Sequence, residues 1–286
     1  MSGANLRWYV KKSARLGMTF GSGLSGSLLL KRRLATSARV RVLTYHRIGE
    51  APYDPFCVTP ENFEAQMRLL ADQGRAVSLQ QLVDFLAGSA ELPEDACLVT
   101  IDDGLLSTLT QALPILARCG VPAVAFVSSS LVGREFPALP ERYLTWAELQ
   151  ELAASGVVTV GSHAHSHRSL RLMPLTEARK EAQTSKALLE EHLGTEVASF
   201  AYPFGTHTDF GADTDRVLAE AGYALAFNSV HGSIRRGMSA FSLPRVKIEG
   251  GEPLAAFSLI SRGGMDAWRA VDKTLWRLQR VRSEIA

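Results

Sequence analysis

The sequence predicts an α/β fold of the β/α-barrel type, and three observations lead to that prediction. Short apolar runs rich in β-branched residues alternate with helical patterns from residue 39 onward. The runs are apolar on consecutive positions, which is typical of strands buried on both faces of a parallel sheet. Several of them end in polar residues that can carry chemistry, and a barrel gathers such strand ends around one mouth. An open doubly wound sheet is the alternative, and it would spread the same residues along an edge.

Seven apolar runs have the length and composition of strands. Each is followed by a turn or by the start of a helical pattern. Seven strands separated by helices favour a β/α barrel, and an irregular or incompletely closed form of it is compatible with the pattern. The predicted strands are Val40–Tyr45, Cys97–Ile101, Ala123–Val127, Val157–Val160, Ser199–Tyr202, Ala224–Phe227 and Ser242–Ile248.

Helix starts are signalled by a cap residue at three places: Thr59, Ser78 and Thr145. Thr59 precedes a proline, which is well suited to the first helical position. Ser78 and Thr145 are each followed three residues later by Gln or Glu, the spacing of a capping box. Further helices are predicted from Leu175 to Leu193 and over residues 209–221, so that helices alternate with the strands.

Charge divides the chain into three parts. Residues 1–49 hold ten Lys or Arg and no acidic residue, and residues 261–286 hold six basic and three acidic residues, which leaves residues 50–260 with a net charge of −11. A nucleic-acid-binding protein would place its positive charge on the folded body, so we expect no nucleic-acid partner. The predicted parts are a basic N-terminal arm (1–38), a barrel domain (39–260) and a basic amphipathic C-terminal helix (261–286).

The basic ends favour contact with an anionic membrane surface. The moderately apolar segment 16–30 is too short to span a bilayer and lacks a cleavage site. We therefore expect a cytoplasmic protein, peripheral at the membrane; a signal peptide for export and a disordered basic arm are the alternatives. The helical pattern of Met265–Ile285 has two interpretations, packing on the barrel or lying on the membrane.

Two adjacent carboxylates end the second predicted strand, in the sequence Thr-Ile-Asp-Asp-Gly at residues 100–104. Buried carboxylates repel each other, so such a pair needs a cation nearby. Because successive side chains diverge, Asp103 can bind a metal while Asp102 points elsewhere. A solvated turn is the alternative for this motif by itself.

Two histidines, His163 and His167, follow the fourth predicted strand at a spacing of four. That spacing places two side chains on one side of a helical turn, and neutral imidazoles presented in this way often bind zinc. His165 lies between them and is expected to point away from the metal. With Asp103 the two histidines form a candidate site for a divalent metal ion, and these ligand types favour Zn²⁺. Surface histidines without a metal are the alternative.

These motifs resemble those of the polysaccharide deacetylase family, also called the NodB-homology family or carbohydrate esterase family 4, and in particular its branch that acts on poly-N-acetylglucosamine-type exopolysaccharides. The resemblance covers roughly residues 40–250. It rests on Leu43–Ile48, Thr100–Gly104, Gly161–His167, Ser185-Lys186, Phe200–Gly205 and Leu243–Val246.

The resemblance implies a distorted (β/α)7 barrel and metal-dependent removal of acetyl groups from an N-acetylated glycan. It assigns Asp102 as the general base and Asp103, His163 and His167 as metal ligands. Phe204 falls where the family's tyrosine offers a backbone N–H to the oxyanion, and Tyr202 with Phe204 is expected to bind substrate.

The sequence departs from the family pattern at two motifs. The Arg-x-Pro-Tyr motif reads Ala201–Phe204, so the arginine that orients the base is missing. The late Leu-x-His motif ends in Arg245, so the usual general acid is missing too. His46, at the end of the first predicted strand, is the first candidate for that catalytic role, and a buried structural histidine is the alternative. His207 and His231 are predicted to be solvated loop residues.

Three functions are therefore considered. The first is N-deacetylation of N-acetylglucosamine-like units in an exopolysaccharide or its lipid-linked precursor. The second is removal of another acyl group, such as an O-acetyl or N-formyl group. The third is a catalytically silent barrel that binds glycan or assists assembly, an alternative suggested by the two missing motif residues.

Overall fold

The barrel is closed and entirely parallel. The computed structural model describes residues 3–24, 38–135 and 141–274. Its seven barrel strands are β1 (Arg41–Tyr45), β4 (Cys97–Ile101), β5 (Ala123–Val127), β6 (Val158–Ser162), β7 (Ser199–Ala201), β8 (Leu225–His231) and β9 (Leu243–Lys247), and a small parallel pair is formed by β2 (Arg47–Ile48) and β3 (Cys57–Val58). The barrel strands are adjacent in chain order, and β9 pairs with β1 to close the ring. The predicted fold is confirmed, and the open sheet is excluded.

Two strands run further toward the mouth than the sequence predicts. β6 continues to Ser162, which lies opposite Val127 of β5, and β8 continues to His231, which lies opposite Arg245 of β9. Their last residues are polar, so an apolar run alone does not mark the end of these strands. Ladder hydrogen bonds to the neighbouring strand decide where they stop. His231 is consequently buried in the sheet, and its predicted place in a solvated loop is wrong.

Eight helices of the described residues are labelled in chain order. They are α1 (Gly3–Leu24), α2 (Pro60–Asp72), α3 (Leu79–Ala87), α4 (Leu113–Cys119), α5 (Trp146–Ala154), α6 (Leu175–Leu193), α7 (Ala212–Glu220) and α8 (Leu254–Ile260). Thr59 caps α2, and the capping boxes predicted at Ser78 and Thr145 are both formed. These caps satisfy N–H groups that the first helical turn leaves without intrahelical partners.

Successive side chains of each barrel strand point alternately outward and inward, so they form two separate layers. Leu43 and Val99 face outward and pack in one apolar cluster with residues of the surrounding helices, such as Phe63 of α2. Val42 and Leu98 belong to a second cluster inside the barrel. The interior becomes polar near the mouth, where Asp102 follows β4. Parallel strands of one barrel therefore deliver their polar ends to a single opening.

Helix α1 packs against the barrel beside α8 and buries its cationic side chains. Arg15 Nε donates to Glu252 Oε1 at 2.7 Å, and Lys11 Nζ lies 2.6 Å from Glu249 Oε1. Both glutamates follow β9 and are buried. The predicted N-terminal arm thus contains a helix that is ion-paired to the barrel, while its residues 25–37 lie outside the described part of the chain.

The C-terminal segment is helical over residues 268–274, and residues 275–286 of the predicted amphipathic helix lie outside the described part. Trp268 lies against the guanidinium of Arg15, 5.7 Å from ring centroid to Cζ. In the described part of the chain, none of the helices has the length and apolar character needed to cross a bilayer.

Candidate active site

The three predicted metal ligands, Asp103, His163 and His167, lie together at the carboxyl ends of β4 and β6. One potential ligand atom from each lies within 4.8 Å of the other two. Asp103 Oδ1 is 3.7 Å from His163 Nε2 and 3.5 Å from His167 Nε2. Two ligands bound to zinc at about 2.1 Å with tetrahedral angles lie about 3.4 Å apart. The group therefore has the donor types and the spacing that a divalent metal ion requires.

The hydrogen bonding of His163 leaves Nε2 available for a metal. Its Nδ1 lies 2.7 Å from the carbonyl oxygen of Ala201 at the end of β7, so Nδ1 carries the proton that is donated. Burial lowers the pKa of His163 to about 4, and the ring is neutral at neutral pH. A neutral imidazole held by a hydrogen bond from its other nitrogen is the usual arrangement of a histidine ligand.

Asp103 and His167 shift each other's pKa values in opposite directions. Burial disfavours the charged form of Asp103, but the hydrogen bond from His167 and the charges of nearby imidazoles outweigh it and lower the carboxyl pKa. Burial also disfavours charge on His167, and the hydrogen bond and charge of Asp103 outweigh it and raise the imidazole pKa. The Asp103 carboxylate is therefore ionised at neutral pH, as a metal ligand must be.

A buried carboxylate on α6 holds the turn between the two histidine ligands. Glu181 accepts hydrogen bonds from the N–H of His165 at 3.1 Å, and from the N–H and hydroxyl of Ser166 at 2.8 and 2.7 Å. One turn further along α6, the hydroxyl of Ser185 donates to the carbonyl of Ala164 at 3.0 Å. The long helix thus fixes the turn from behind, which restricts the imidazoles to one geometry.

Asp102 makes a bidentate ion pair with Arg245 of β9. Nη1 and Nη2 each lie 2.8 Å from one carboxylate oxygen, and the two side chains are almost completely buried. Burial raises the cost of the Asp102 charge, but the charge and hydrogen bonds of Arg245 outweigh it and lower the pKa of Asp102. The Nε of Arg245 donates to the carbonyl of Asn228 at 2.9 Å, so the guanidinium is fixed in orientation. Asp102 is thereby held ionised beside the metal-ligand group.

His46 lies at the same mouth, directly after β1. Burial lowers the pKa of His46 below 6.5, and the charges of Asp103 and Asp102 oppose that change. Its Nδ1 is buried and has no hydrogen-bond partner among the described residues. The ring packs edge-on against Phe56, with centroids 4.8 Å apart. His46 is thus electrostatically coupled to both aspartates and is not engaged in a structural hydrogen bond through Nδ1.

The turn after β7 separates the two residues predicted to bind substrate. Tyr202 is buried, and its hydroxyl donates to Asp215 of α7 at 2.8 Å, so its side chain packs behind the barrel wall instead of lining the mouth. Phe204 contacts His167, with ring centroids 5.2 Å apart. Its backbone has a φ of +61°, and its N–H donates to no acceptor among the described residues. Phe204 is therefore the residue of this turn that can contribute to the site.

Comparison with known proteins places this site in a family. A family model described as polysaccharide deacetylase matches residues 89–226. The solved structure of IcaB from Ammonifex degensii is similar with a TM-score of 0.69 and 29% identity, covering 80% of this chain and 97% of that one. A polysaccharide deacetylase from Bacillus cereus is similar with a TM-score of 0.67 and 26% identity, covering 80% of this chain and 70% of that one. The poly-beta-1,6-N-acetyl-D-glucosamine N-deacetylase of Staphylococcus aureus is 23% identical over 230 residues, 72% of this chain and 77% of that protein.

The chain is similar to polysaccharide deacetylases in sequence, over residues 89–226, and in fold, over 80% of its length. It is accordingly a hydrolytic deacetylase with the seven-stranded barrel expected of that family. The sequence resemblance noted above is confirmed. The family model begins after β1 and ends at the start of β8, so His46, Arg245 and helix α1 lie outside the matched stretch.

The structure corrects the inference that this deacetylase has no arginine to orient its base. The arginine missing before Tyr202 is replaced by Arg245, which occupies the late motif position where a histidine is usual. The missing early arginine and the arginine at the late histidine position are therefore both explained by the Asp102–Arg245 ion pair. Sequence reasoning missed it because β7 and β9 are far apart along the chain, although the barrel brings their ends to the same mouth.

Backbone strain is a second feature that the sequence does not reveal. Asp103, Ala164, His167 and Phe204 all have positive φ angles, between +56° and +78°. Such conformations cost about 1–3 kcal/mol each in non-glycine residues and tend to cluster at functional sites. Gly205, the one glycine in this turn, is required on steric grounds, because a Cβ there would lie 2.6 Å from the backbone nitrogen of Ser229.

Proposed function

We propose that this protein is a divalent-metal-dependent N-deacetylase, with zinc as its metal, that acts on N-acetylglucosamine-like units of an exopolysaccharide or its lipid-linked precursor. The observation that carries the proposal is the convergence of Asp103, His163 and His167 beside an ionised Asp102. Similarity to a poly-beta-1,6-N-acetyl-D-glucosamine N-deacetylase supports the choice of sugar.

Each site residue has a role in amide hydrolysis. A divalent cation held by Asp103, His163 and His167 would polarise the acetyl carbonyl and lower the pKa of the attacking water. Asp102 accepts a proton from the attacking water, whose oxygen bonds to the carbonyl carbon. The free N–H of Phe204 donates to the resulting oxyanion, an interaction worth about 10²–10³ in rate at comparable sites. As the carbon–nitrogen bond breaks, His46 in its imidazolium form donates a proton to the amine nitrogen, acetate leaves, and Asp102 returns its proton to solvent.

Metal content tests the proposal most directly. We expect about one equivalent of zinc in purified protein by elemental analysis, and loss of most of it in His163→Ala. His165→Ala is the matched control, since that ring contacts Ser129 at 2.8 Å and its backbone contact to Glu181 survives the substitution. Equal zinc in the protein and in His163→Ala would refute the metal assignment.

The acyl group is tested by product analysis. We expect acetate from β-1,6-linked N-acetylglucosamine oligomers, and little formate or acetate from N-formyl or O-acetyl analogues. Predominant release of formate, or of acetate from the O-acetyl sugars, would favour a different deacylase. The Asp102–Arg245 ion pair removes part of the reason for considering a silent barrel. Undiminished acetate release by Asp102→Asn would exclude Asp102 as the base.

Peripheral association with the cytoplasmic face of an anionic membrane is part of the proposal. Lys11 and Arg15 pair with Glu249 and Glu252, so they contribute little to lipid binding. Basic residues that could do so include the exposed Arg269 and Lys273 and those of segments 25–37 and 275–286, which lie outside the described part of the chain. Sedimentation with vesicles should show more binding to phosphatidylglycerol than to phosphatidylcholine. Equal binding to both would contradict an electrostatic contact.

A further inference from the structure

An exposed aromatic surface lies at the barrel mouth and is built from two separate segments. Trp8 and Tyr9 come from α1, and Tyr53 comes from the loop between β2 and β3. The Tyr53 ring centroid is 5.6 Å from that of Trp8 and 5.9 Å from that of Tyr9. Tyr9 and Tyr53 are 42% and 47% exposed, so these grouped rings are open to solvent. Clustered exposed aromatics commonly indicate a binding surface.

The surface continues into the candidate active site. Phe56, on the same loop as Tyr53, is 44% exposed and packs against the ring of His46. The ammonium of Lys247 lies 3.4 Å from the centroid of the Phe56 ring. The loop that carries Tyr53 therefore also reaches the ring of His46 through Phe56.

The rings are fixed before any ligand binds. The ion pairs of Lys11 and Arg15 fasten α1 to the barrel. The loop is anchored by Arg47, which donates to Asp54 at 2.9 Å, and Tyr53 is held at a φ of +68°. Because little side-chain and backbone freedom remains to be lost, binding to these rings has a small entropic cost.

We propose that Tyr9 and Tyr53 bind a sugar unit next to the one whose acetyl group enters the site, with Phe56 continuing the surface inward. The inference rests on the proposed function. A pyranose ring presents an apolar C–H face to an aromatic ring and hydroxyl groups to a polar rim, and both tyrosines carry a polar hydroxyl at the ring edge. The nearby charges favour a sugar over a lipid surface, since Lys11 is already paired and the exposed Glu50 would repel anionic lipid.

The test is a double variant, Tyr9→Ser with Tyr53→Asn, since asparagine tolerates the positive φ at position 53. We expect kcat/KM for a β-1,6-linked N-acetylglucosamine pentamer to fall about tenfold, and that for the single sugar to change less than twofold. Phe20→Ser is the matched control, because Phe20 is an exposed aromatic residue of the same helix that makes none of these ring contacts. Equal losses on both substrates, or none on the pentamer, would overturn the inference.

Calorimetric binding of the pentamer separates this inference from the proposed function. The comparison uses Asp102→Asn with and without the two tyrosine substitutions, so it does not depend on turnover. Suppose that the unsubstituted protein releases no acetate, so that the proposed function fails, but Asp102→Asn still binds the pentamer. A tenfold weaker Kd after the two tyrosine substitutions would then still support the sugar site. The sugar site would be overturned if Asp102→Asn did not bind the pentamer. It would also be overturned if the tyrosine substitutions abolished binding to phosphatidylglycerol vesicles but left pentamer binding unchanged.

Discussion

Replacing Arg245 by methionine tests the electrostatic organisation of the site. The substitution removes a buried guanidinium whose two nitrogens each lie 2.8 Å from an Asp102 oxygen, and it leaves an uncharged side chain that replaces only the stem of the arginine. The Asp102 carboxylate would then remain buried without its counter-charge. Removing one partner of such a pair typically costs about 3–5 kcal/mol.

The pH dependence of that loss follows from the pKa of Asp102. In the protein this pKa is lowered, so the ion pair stabilises the fold above the unfolded pKa of about 3.9 and this contribution is lost as the pH falls through the folded pKa. In Arg245→Met, burial acts without the opposing guanidinium and raises the pKa of Asp102. The variant should therefore be destabilised more at pH 8 than at pH 5, where Asp102 can take up a proton.

Urea unfolding of the zinc-loaded protein at both pH values measures this difference. With a slope of about 3 kcal/mol per molar, a loss of 3–5 kcal/mol lowers the midpoint by about 1–1.7 M. The double variant Arg245→Met/Asp102→Asn should recover most of the loss at pH 8, because no unpaired charge remains. The deacetylase rate of Arg245→Met should fall by about 10²-fold or more at pH 7, since a protonated Asp102 cannot act as base.

Two results would refute the reasoning. An equal loss of stability at pH 5 and pH 8 would show that Arg245 acts through packing. No recovery in the double variant would show that the Asp102 charge is not responsible. Arg245→Lys serves as a control, because it keeps the charge but cannot reproduce both hydrogen bonds.

Three further predictions concern the buried residues Glu181, His231 and Arg15. Glu181→Ala should weaken zinc binding about 10–100-fold with little change in fold, and competition with a chelator measures this affinity. An unchanged affinity would show that the turn between His163 and His167 keeps its geometry without Glu181. Burial lowers the pKa of His231 from 6.5 to about 3, so the unfolded chain binds its proton first and stability falls as the pH drops below about 6.5. This proton uptake by the unfolded chain lowers the free energy of unfolding by about 3 kcal/mol at pH 4.5. His231→Leu should remove that loss, and an acid transition in thermal unfolding that the substitution leaves unchanged would contradict the prediction. Arg15→Met should destabilise the protein by about 3–5 kcal/mol by leaving Glu252 unpaired, and Arg15→Met/Glu252→Gln should recover most of that loss in urea unfolding.

The sequence predicted much of this protein from local signals. All seven barrel strands were located from apolar runs, and α6 begins and ends at the predicted residues Leu175 and Leu193. Strand burial and helix capping depend on residues close together in the chain, so short patterns are sufficient to reveal them. The three expected metal ligands could be nominated because strand ends of a barrel share one mouth.

Contacts between distant segments could not be predicted in this way. Arg245 looked like a departure from the family pattern until β9 placed it against Asp102, 143 residues earlier. The cationic residues of α1 suggested a membrane surface, yet Arg15 pairs with Glu252. A charged side chain is compatible with lipid, water or a buried partner, and its sequence neighbours do not distinguish them. Only the closing of the barrel brings the partner within hydrogen-bond distance, where the attraction offsets the cost of leaving water.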